Sequence, residues 1–230
     1  HIDELATSLI TSTLHDPFWT DAARTLFSET LKILCREKNF SLKRALNFAI
    51  SLPLKDIQDF YEGTPAAALI DKAADKTAAS IRVNLATYLK SLFLLEDHSQ
   101  GFSLRHWVQN EKAAGWVFLL AIPEQRETLR PLLTTWLNTS FNALMATRPN
   151  PTRRLWFIMD EMASLNKIEA LPKALAEIRK YGGCIVTGIQ NISQIDKIYG
   201  HEIRKTMMSL YNTKLFFRSP DADTAQWISK

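Results

Sequence analysis

Two adjacent carboxylates and one amide have types and spacing that could do chemistry. Asp160 and Glu161 follow the apolar run LWFIM, residues 155–159, and Gln190 follows a second apolar run, CIVTGI, residues 184–189. A carboxylate can hold the waters around Mg²⁺, and its neighbour can polarise an attacking water. An amide can orient a γ-phosphate. The three side chains would therefore suit nucleotide hydrolysis if the fold brings them together.

A parallel sheet is the element that would bring these side chains together. The stretch IEALPKALAEIRKYGG between the two apolar runs predicts a helix ended by glycine, which makes a βαβ unit. Both strands of such a unit run the same way, so Asp160, Glu161 and Gln190 are expected beyond the same edge of the sheet. The pattern is similar to the second acidic motif of P-loop NTPases. The alternative is that the two acids only begin a helix, where its dipole favours them.

The phosphate-binding half of such a site has no counterpart in this sequence. A P-loop requires G-x-x-x-x-G-K-[ST], whose backbone amides and lysine cradle the phosphates. None of the seven glycines gives that spacing, and YGGC follows a helix instead of preceding one. We therefore expect these 230 residues, taken alone, to bind and hydrolyse ATP poorly.

The pattern of the chain changes after about a hundred residues. Up to Ser103 the apolar residues recur at helical spacing, and DHSQGFSLRHW is a polar, glycine-containing boundary. From Leu104 onward, strands alternate with helices, which predicts an α/β fold with a parallel sheet. The predicted domains are an all-α domain, residues 1–103, and an α/β domain, residues 104–230. The predicted strands are residues 115–122, which we expect to be buried on both faces, and residues 155–159, 184–189 and 213–218.

Composition and charge exclude few classes of function. The longest uninterrupted apolar run, WVFLLAI, is far shorter than the roughly 20 residues of a membrane-spanning helix. Cys35 and Cys184 lack metal or redox spacing, and a reducing compartment fits them best. Residues 1–103 carry 11 Lys and Arg against 13 Asp and Glu, a net charge of −2, whereas the remainder carries 17 against 11, a net of +6. Charge alone favours a well-solvated surface, and the alternative is that the basic surplus binds an anionic partner.

A long central stretch carries a family resemblance. RRLWFIMDEMASLNKIEALPKALAEIRKYGGCIVTGIQNISQIDKIYG, residues 153–200, resembles the coupling-protein ATPases of type IV secretion and conjugation, the TraD/TrwB-like group. It matches their Walker B strand and the segment that follows. DPFW, GTPAAALI, FSLRHWV and NTKLFFRSPDADTAQWIS also match, so the resemblance spans nearly the whole chain.

The resemblance implies a fold and a function. The fold is a RecA-like P-loop NTPase motor interrupted by an all-helical domain, and this chain would hold that domain and the second part of the motor, with Walker A upstream. The implied function is that of a DNA-dependent ATPase, using ATP and Mg²⁺, which recruits relaxase and DNA or a protein substrate and drives it into a type IV secretion channel. The implied assembly is a homo-hexamer on the cytoplasmic face of the bacterial inner membrane, anchored by a segment outside this chain.

Four residues match functional positions of that family. Asp160 matches the Mg²⁺-associated Walker B aspartate, Glu161 the catalytic glutamate and Gln190 the glutamine sensor. Arg179 matches the arginine finger. Because Arg179 is at the far end of the crossover helix, a catalytic role would require it to reach a neighbouring subunit. Its sequence position alone favours the other interpretation, in which Arg179 is a helix C-terminal cation next to Lys180, stabilised by the helix dipole.

Further residues bear on DNA binding, and other functions remain open. Trp116, Trp136 and Trp156 lie on apolar faces, so we expect them in the core and not as stacking platforms for bases. One alternative is a module that binds substrate or DNA without motor activity, and another is a different RecA-like helicase or translocase. The basic residues that could line a channel for a DNA backbone are Arg153, Arg154, Lys180, Arg204 and Lys205.

Overall fold

The chain forms two compact units. The computed structural model describes residues 2–11, 17–37, 40–71, 73, 75–96, 101–217 and 222–229. One unit comprises His1–Phe102 and Gln125–Leu132, and the other comprises Ser103–Glu124 and Leu133–Lys230. The α-helices are α1 (Ile2–Leu9), α2 (Pro17–Leu34), α3 (Leu42–Leu46), α4 (Leu54–Ile57), α5 (Asp75–Tyr88), α6 (Leu104–Gln109), α7 (Arg126–Met145), α8 (Leu171–Glu177), α9 (Ile192–Tyr199), α10 (His201–Leu210) and α11 (Ala222–Ile228). The strands are β1 (Leu155–Met159) and β2 (Gly183–Thr187).

The first unit is helical and is organised around α2. Leu26, Phe27, Leu31 and Leu34 recur at three- and four-residue spacing, and all four side chains are buried. This face of α2 packs in a core with α1 and α5. Burying four large apolar side chains contributes roughly 1.5 to 3 kcal/mol each. The core of this unit is therefore built mainly from local helical periodicity.

The second unit contains the predicted parallel pair of strands. β1 and β2 pair in parallel register from Leu155 opposite Gly183 to Met159 opposite Thr187. The crossover runs through a 3₁₀ turn (Met162–Ser164), α8 and a second 3₁₀ turn (Ile178–Tyr181), and it ends at Gly182 with a φ of 81°. A Cβ on Gly182 would lie 2.6 Å from the carbonyl oxygen of Arg153, so both the backbone conformation and the close approach require glycine.

The two faces of this sheet differ in burial. Phe157 and Met159 of β1 point into a core that α7, α8, α9 and α10 complete. Trp156 and Ile158 alternate with them and are more than half exposed, and Val186 of β2 is also exposed. The expectation that Trp156 is a core residue is therefore wrong, because strand side chains alternate between faces and only one face is covered.

Two of the four predicted strands do not form in the described part of the chain. Residues 115–122 and 213–217 make no strand pairing there. Trp116, Phe118 and Leu120 are each more than 70% exposed, so the predictions of a doubly buried strand and of a core position for Trp116 are wrong. An apolar run indicates a capacity for a strand, but a strand also needs a partner that the run does not encode. Arg218, the last residue of the predicted fourth strand, lies outside the described residues.

Candidate functional site

Backbone hydrogen bonds join the chain just beyond the carboxyl ends of the two strands. The Gly188 amide, one residue after β2, donates to the Met159 carbonyl at 2.7 Å. The Met162 amide donates in turn to the Gly188 carbonyl at 3.0 Å. Asp160 and Glu161 lie between those two partners in the chain, so both are fixed beside the end of β2.

Gly188 allows a close approach at this edge. A Cβ at this position would lie 1.9 Å from the carbonyl oxygen of Asp160, which is far inside van der Waals contact. Only glycine therefore fits beside the carboxylate pair. Gly188 is a site residue that motif searching misses, although a glycine at the end of an apolar run is a sign of close backbone approach.

The three residues predicted for this edge lie just after the carboxyl ends of the two strands. Asp160 and Glu161 follow β1, and Gln190 follows β2. Asp160 and Gln190 are exposed, and Glu161 is half-buried. The Oε1 atom of Glu161 is buried and has no hydrogen-bond partner among the described residues. A buried carboxylate oxygen without a donor is destabilising, and such an atom is normally satisfied by an ordered water or a ligand. The edge therefore has an exposed carboxylate next to one with a buried oxygen that has no hydrogen-bond partner among the described residues.

The loop that follows the carboxylate pair is hydrogen-bonded to α7 and α9. Three of its backbone amides donate to side chains of α7 and α9, and two of these bonds are buried. The bonds are Asn166 to Thr134 Oγ1 at 3.0 Å, Ile168 to Tyr199 Oη at 3.1 Å and Ala170 to Asn138 Oδ1 at 2.9 Å. These contacts hold the loop after Glu161, and polar residues inside helices gave no sequence signal for them.

The loop after Gln190 is held by α11. Thr224 donates its hydroxyl to Oδ1 of Asn191 at 3.1 Å, and it accepts from the Ile192 amide at 3.2 Å. Asn191 therefore begins α9 with its side chain occupied by α11. This arrangement fixes the backbone beside Gln190, and it depends on a residue more than thirty positions away in the sequence.

Arg179 lies toward the opposite end of the strands. Its carbonyl accepts from the Gly182 amide at 3.1 Å in the turn that leads into β2, and its side chain is exposed. β2 has five residues and rises roughly 3.3 Å per residue, so it is about 13 Å long. The length of β2 therefore separates the turn that contains Arg179 from the carboxylate edge. The structure brings together the strand ends that carry Asp160, Glu161 and Gln190, and it leaves Arg179 at the other end.

The basic residues considered for DNA binding divide into two groups. Arg153 donates from Nη2 to the Val108 carbonyl at 2.7 Å, so it holds the fold together. Arg204 is only 6% exposed and donates from Nε to Asp196 at 2.9 Å, with His201 also within hydrogen-bonding distance. The exposed members of the set, which could face a phosphate backbone, are Arg154, Lys180 and Lys205.

Fold and site together define a class of protein. A parallel βαβ unit with an acidic pair beyond one strand and an amide beyond the next is the architecture of a RecA-like NTPase domain, here in a chain that also has an all-α unit. The family model described as the type IV secretion-system coupling protein DNA-binding domain matches residues 1–230. The chain belongs to this family of coupling proteins.

Known relatives agree with this assignment. The coupling protein TraD of Escherichia coli is 33% identical over 232 residues, which cover 98% of this chain and 32% of TraD. Protein VirD4 of Agrobacterium fabrum is 28% identical over 116 residues, 50% of this chain and 17% of VirD4. The structure of the plasmid coupling protein TrwB with ADP and Mg²⁺ superposes with a TM-score of 0.78 at 29% identity, covering 91% of this chain and 51% of TrwB. The chain thus spans about a third of TraD and about half of TrwB.

Proposed function

We propose that these residues are part of a conjugative coupling protein, a DNA-dependent ATPase that recruits relaxase-bound DNA or protein and drives it into a type IV secretion channel. Residues 1–103 would be its all-α domain and residues 104–230 the second part of its RecA-like motor. Support comes from the family assignment over the whole chain and from the likeness to TrwB, which has been solved with ADP and Mg²⁺ and with a GTP analogue.

One observation supports the hydrolytic role of the acidic edge most directly. Asp160 and Glu161 are fixed beside the end of β2 by Gly188, and Oε1 of Glu161 has no partner in the described structure. The donor set fits a hydrated Mg²⁺, because this ion keeps several waters and binds through one or two carboxylates. Mg²⁺ would neutralise charge on the phosphates when bound.

Each residue at this edge has a proposed role. Asp160, which is exposed, would hold the waters of Mg²⁺, and Glu161 would orient and polarise the attacking water. Gln190 would sense the γ-phosphate from the neighbouring strand end. Arg179 lies away from this edge, so it would act as an arginine finger only toward a neighbouring subunit of a homo-hexamer.

Partners and location follow from the same assignment. DNA is the partner that the family description names, and the relaxase and the channel components are proposed with it. Among the described residues, no helix is long and apolar enough to cross a membrane. From the family assignment we also propose membrane attachment, at the cytoplasmic face of the inner membrane, through a segment outside these 230 residues.

Steady-state hydrolysis of MgATP by the full-length protein tests this function. Asp160→Asn should lower kcat about 100-fold or more, since a neutral amide holds the hydrated metal poorly. Glu202→Gln removes one negative charge from an exposed position on α10 and should leave turnover within about twofold. Asp160→Asn protein that keeps more than half of wild-type turnover would refute the assignment. The 230-residue chain, which has no P-loop motif, should show no appreciable turnover.

A further inference from the structure

The helical unit contains an open groove along one face of α5. Its volume is about 490 Å³, and its wall combines apolar side chains with two cations. Ile50, Leu54, Val83 and Ala86 form most of the apolar part, and Val83 is 70% exposed. No acidic residue lines the groove in the described structure. The lining thus joins an apolar strip to a positive charge.

Arg82 is the unusual member of this lining. It is only 8% exposed, and its Nε donates to the Ala49 carbonyl at 3.2 Å. Its Nη2 is buried without a hydrogen-bond partner among the described residues, and none of their carboxylates forms an ion pair with it. Buried arginines are normally paired, because an uncompensated buried charge is strongly destabilising. Arg82 is therefore a buried cation that lacks an anion.

The surroundings of Arg82 do not supply that anion. Burial raises the pKa of the nearby Tyr61 phenol to about 12, so this group is neutral at physiological pH. The phenol hydroxyl already shares a hydrogen bond of 2.6 Å with Thr30. Lys90, exposed on the same groove wall, adds a second positive charge. The unmet charge of Arg82 thus has no neighbouring carboxylate to balance it.

The backbone opposite α5 has a rare conformation. Asn47–Ser51 form a π-helix, which includes Ile50 of the groove and the Ala49 carbonyl that accepts from Arg82. Short π-helical segments are uncommon and occur frequently at functional sites. The π-helix therefore contributes Ile50 to the groove wall and positions the guanidinium of Arg82 through a direct hydrogen bond.

We propose that this groove binds a short acidic and apolar peptide segment of a partner protein. A carboxylate of the peptide would accept from Arg82 and Lys90, and its apolar side chains would lie against Ile50, Leu54 and Val83. This is the mode in which an amphipathic peptide places one apolar face in a groove while charge sets its orientation. The site lies in the helical unit and does not depend on nucleotide hydrolysis by the other unit.

Fluorescence anisotropy with the full-length protein tests the proposal. The probe is a fluorescein-labelled peptide of about ten residues, with Leu at every third or fourth position and Glu between, as in groove-binding helices. A matched peptide carries Gln in place of each Glu. The variants are Lys90→Glu and Arg82→Gln in the groove. Arg36→Glu is the control, an equal reversal of charge at an exposed position of the same unit outside the groove.

The Glu peptide should bind the wild-type protein at least about tenfold more tightly than the Gln peptide, and Lys90→Glu should weaken it about tenfold. Arg36→Glu should change the affinity less than about twofold. Arg82→Gln should weaken binding while the circular dichroism spectrum stays native. Equal binding of the two peptides, no binding of the Glu peptide, or equal losses in Arg36→Glu and Lys90→Glu would overturn the proposal. So would a single-stranded oligonucleotide that binds the wild-type protein in place of the peptide and is lost in Lys90→Glu.

Discussion

The two ends of the two-stranded sheet are built from similar backbone contacts but leave different groups available. At the amino end, the Leu155 amide donates to the Gly182 carbonyl and the Asn150 amide donates to the Lys180 carbonyl, both at 2.9 Å. Arg153 adds a side-chain bond from this end to the Val108 carbonyl. At the carboxyl end, backbone hydrogen bonds through Gly188 hold the chain just as closely. Beside them, Asp160 is exposed, and Oε1 of Glu161 has no hydrogen-bond donor among the described residues.

This difference separates stability from binding. At the amino end, the side chain of Arg153 holds two parts of the chain together, so changing it should alter stability first. Within the described structure, Oε1 of Glu161 has no partner and Asp160 is exposed, so changing these anions should alter ligand chemistry first. Ligands of parallel sheets bind beyond the carboxyl ends of strands, where loops can change without disturbing the sheet. The comparison therefore predicts opposite phenotypes for substitutions of Arg153 and of the acidic pair, Asp160 and Glu161.

Gly188→Ala should have the largest effect on stability. The new Cβ would meet the Asp160 backbone at 1.9 Å, and a backbone neighbour cannot move aside as a flexible side chain does. We expect a loss of about 3 kcal/mol in the free energy of unfolding, measured with urea. Gly63→Ala is the control, because Gly63 has a φ of 73° but open space around it, so it should cost about 1 kcal/mol. Equal losses in the two variants would mean that the close approach at Gly188 does not exist.

High pH should weaken the loop that follows the carboxylate pair. Burial raises the pKa of Tyr199, which accepts from the Ile168 amide, to about 12. An unfolded tyrosine releases its proton near pH 10, while the folded protein keeps it. The stability due to the neutral phenol is thus complete below about pH 10 and is lost as pH rises toward 12, by about 2 kcal/mol. Tyr199→Phe should show a shallower fall in urea midpoint over this range. A slope identical to wild type would contradict the role of Tyr199.

Arg153→Met should have the smallest effect and should show the opposite phenotype to changes in the acidic pair. It removes the bond to Val108, but it also removes a buried Nη1 donor that has no partner in the described structure. The two terms partly offset each other, so we expect a loss of about 1 kcal/mol in the free energy of unfolding. MgATP turnover by the full-length variant should stay within about twofold. Arg154→Met, at an exposed neighbour, is the control and should cost less than about 0.5 kcal/mol. A tenfold fall in the turnover of Arg153→Met would contradict the claim that Arg153 serves stability and not ligand chemistry.

The local part of this structure could be predicted from the sequence. The glycine-ended crossover helix and the apolar runs before Asp160 and Gln190 give the parallel βαβ unit, because periodicity and glycine position act over short distances. The same logic was wrong for residues 115–122 and 213–217, which contain apolar stretches but have no strand partner in the described chain. Pairing is a non-local property, and a single run does not encode it.

The contacts that hold the site were beyond prediction for the same reason. Thr134 and Asn138 reach the loop after Glu161 from another helix, and Thr224 reaches the start of α9 from more than thirty residues away. Nothing in the sequence distinguishes Arg82 from a surface cation of a helix. Only the structure shows that it is buried without a counter-ion among the described residues. Sequence motifs identify the residues that could do chemistry, whereas tertiary packing determines which buried polar groups lack a hydrogen-bond partner.

The separation of nucleotide binding from hydrolysis in the Glu161→Gln variant of the full-length protein tests the central claim most directly. Glutamine keeps the shape of the side chain but removes the base that would polarise water. We predict that kcat for MgATP falls about 100-fold or more, while the Kd for ATP changes less than about threefold. Wild-type turnover in Glu161→Gln, or a loss of turnover explained entirely by weaker ATP binding, would contradict a hydrolytic role for the carboxyl end of this sheet.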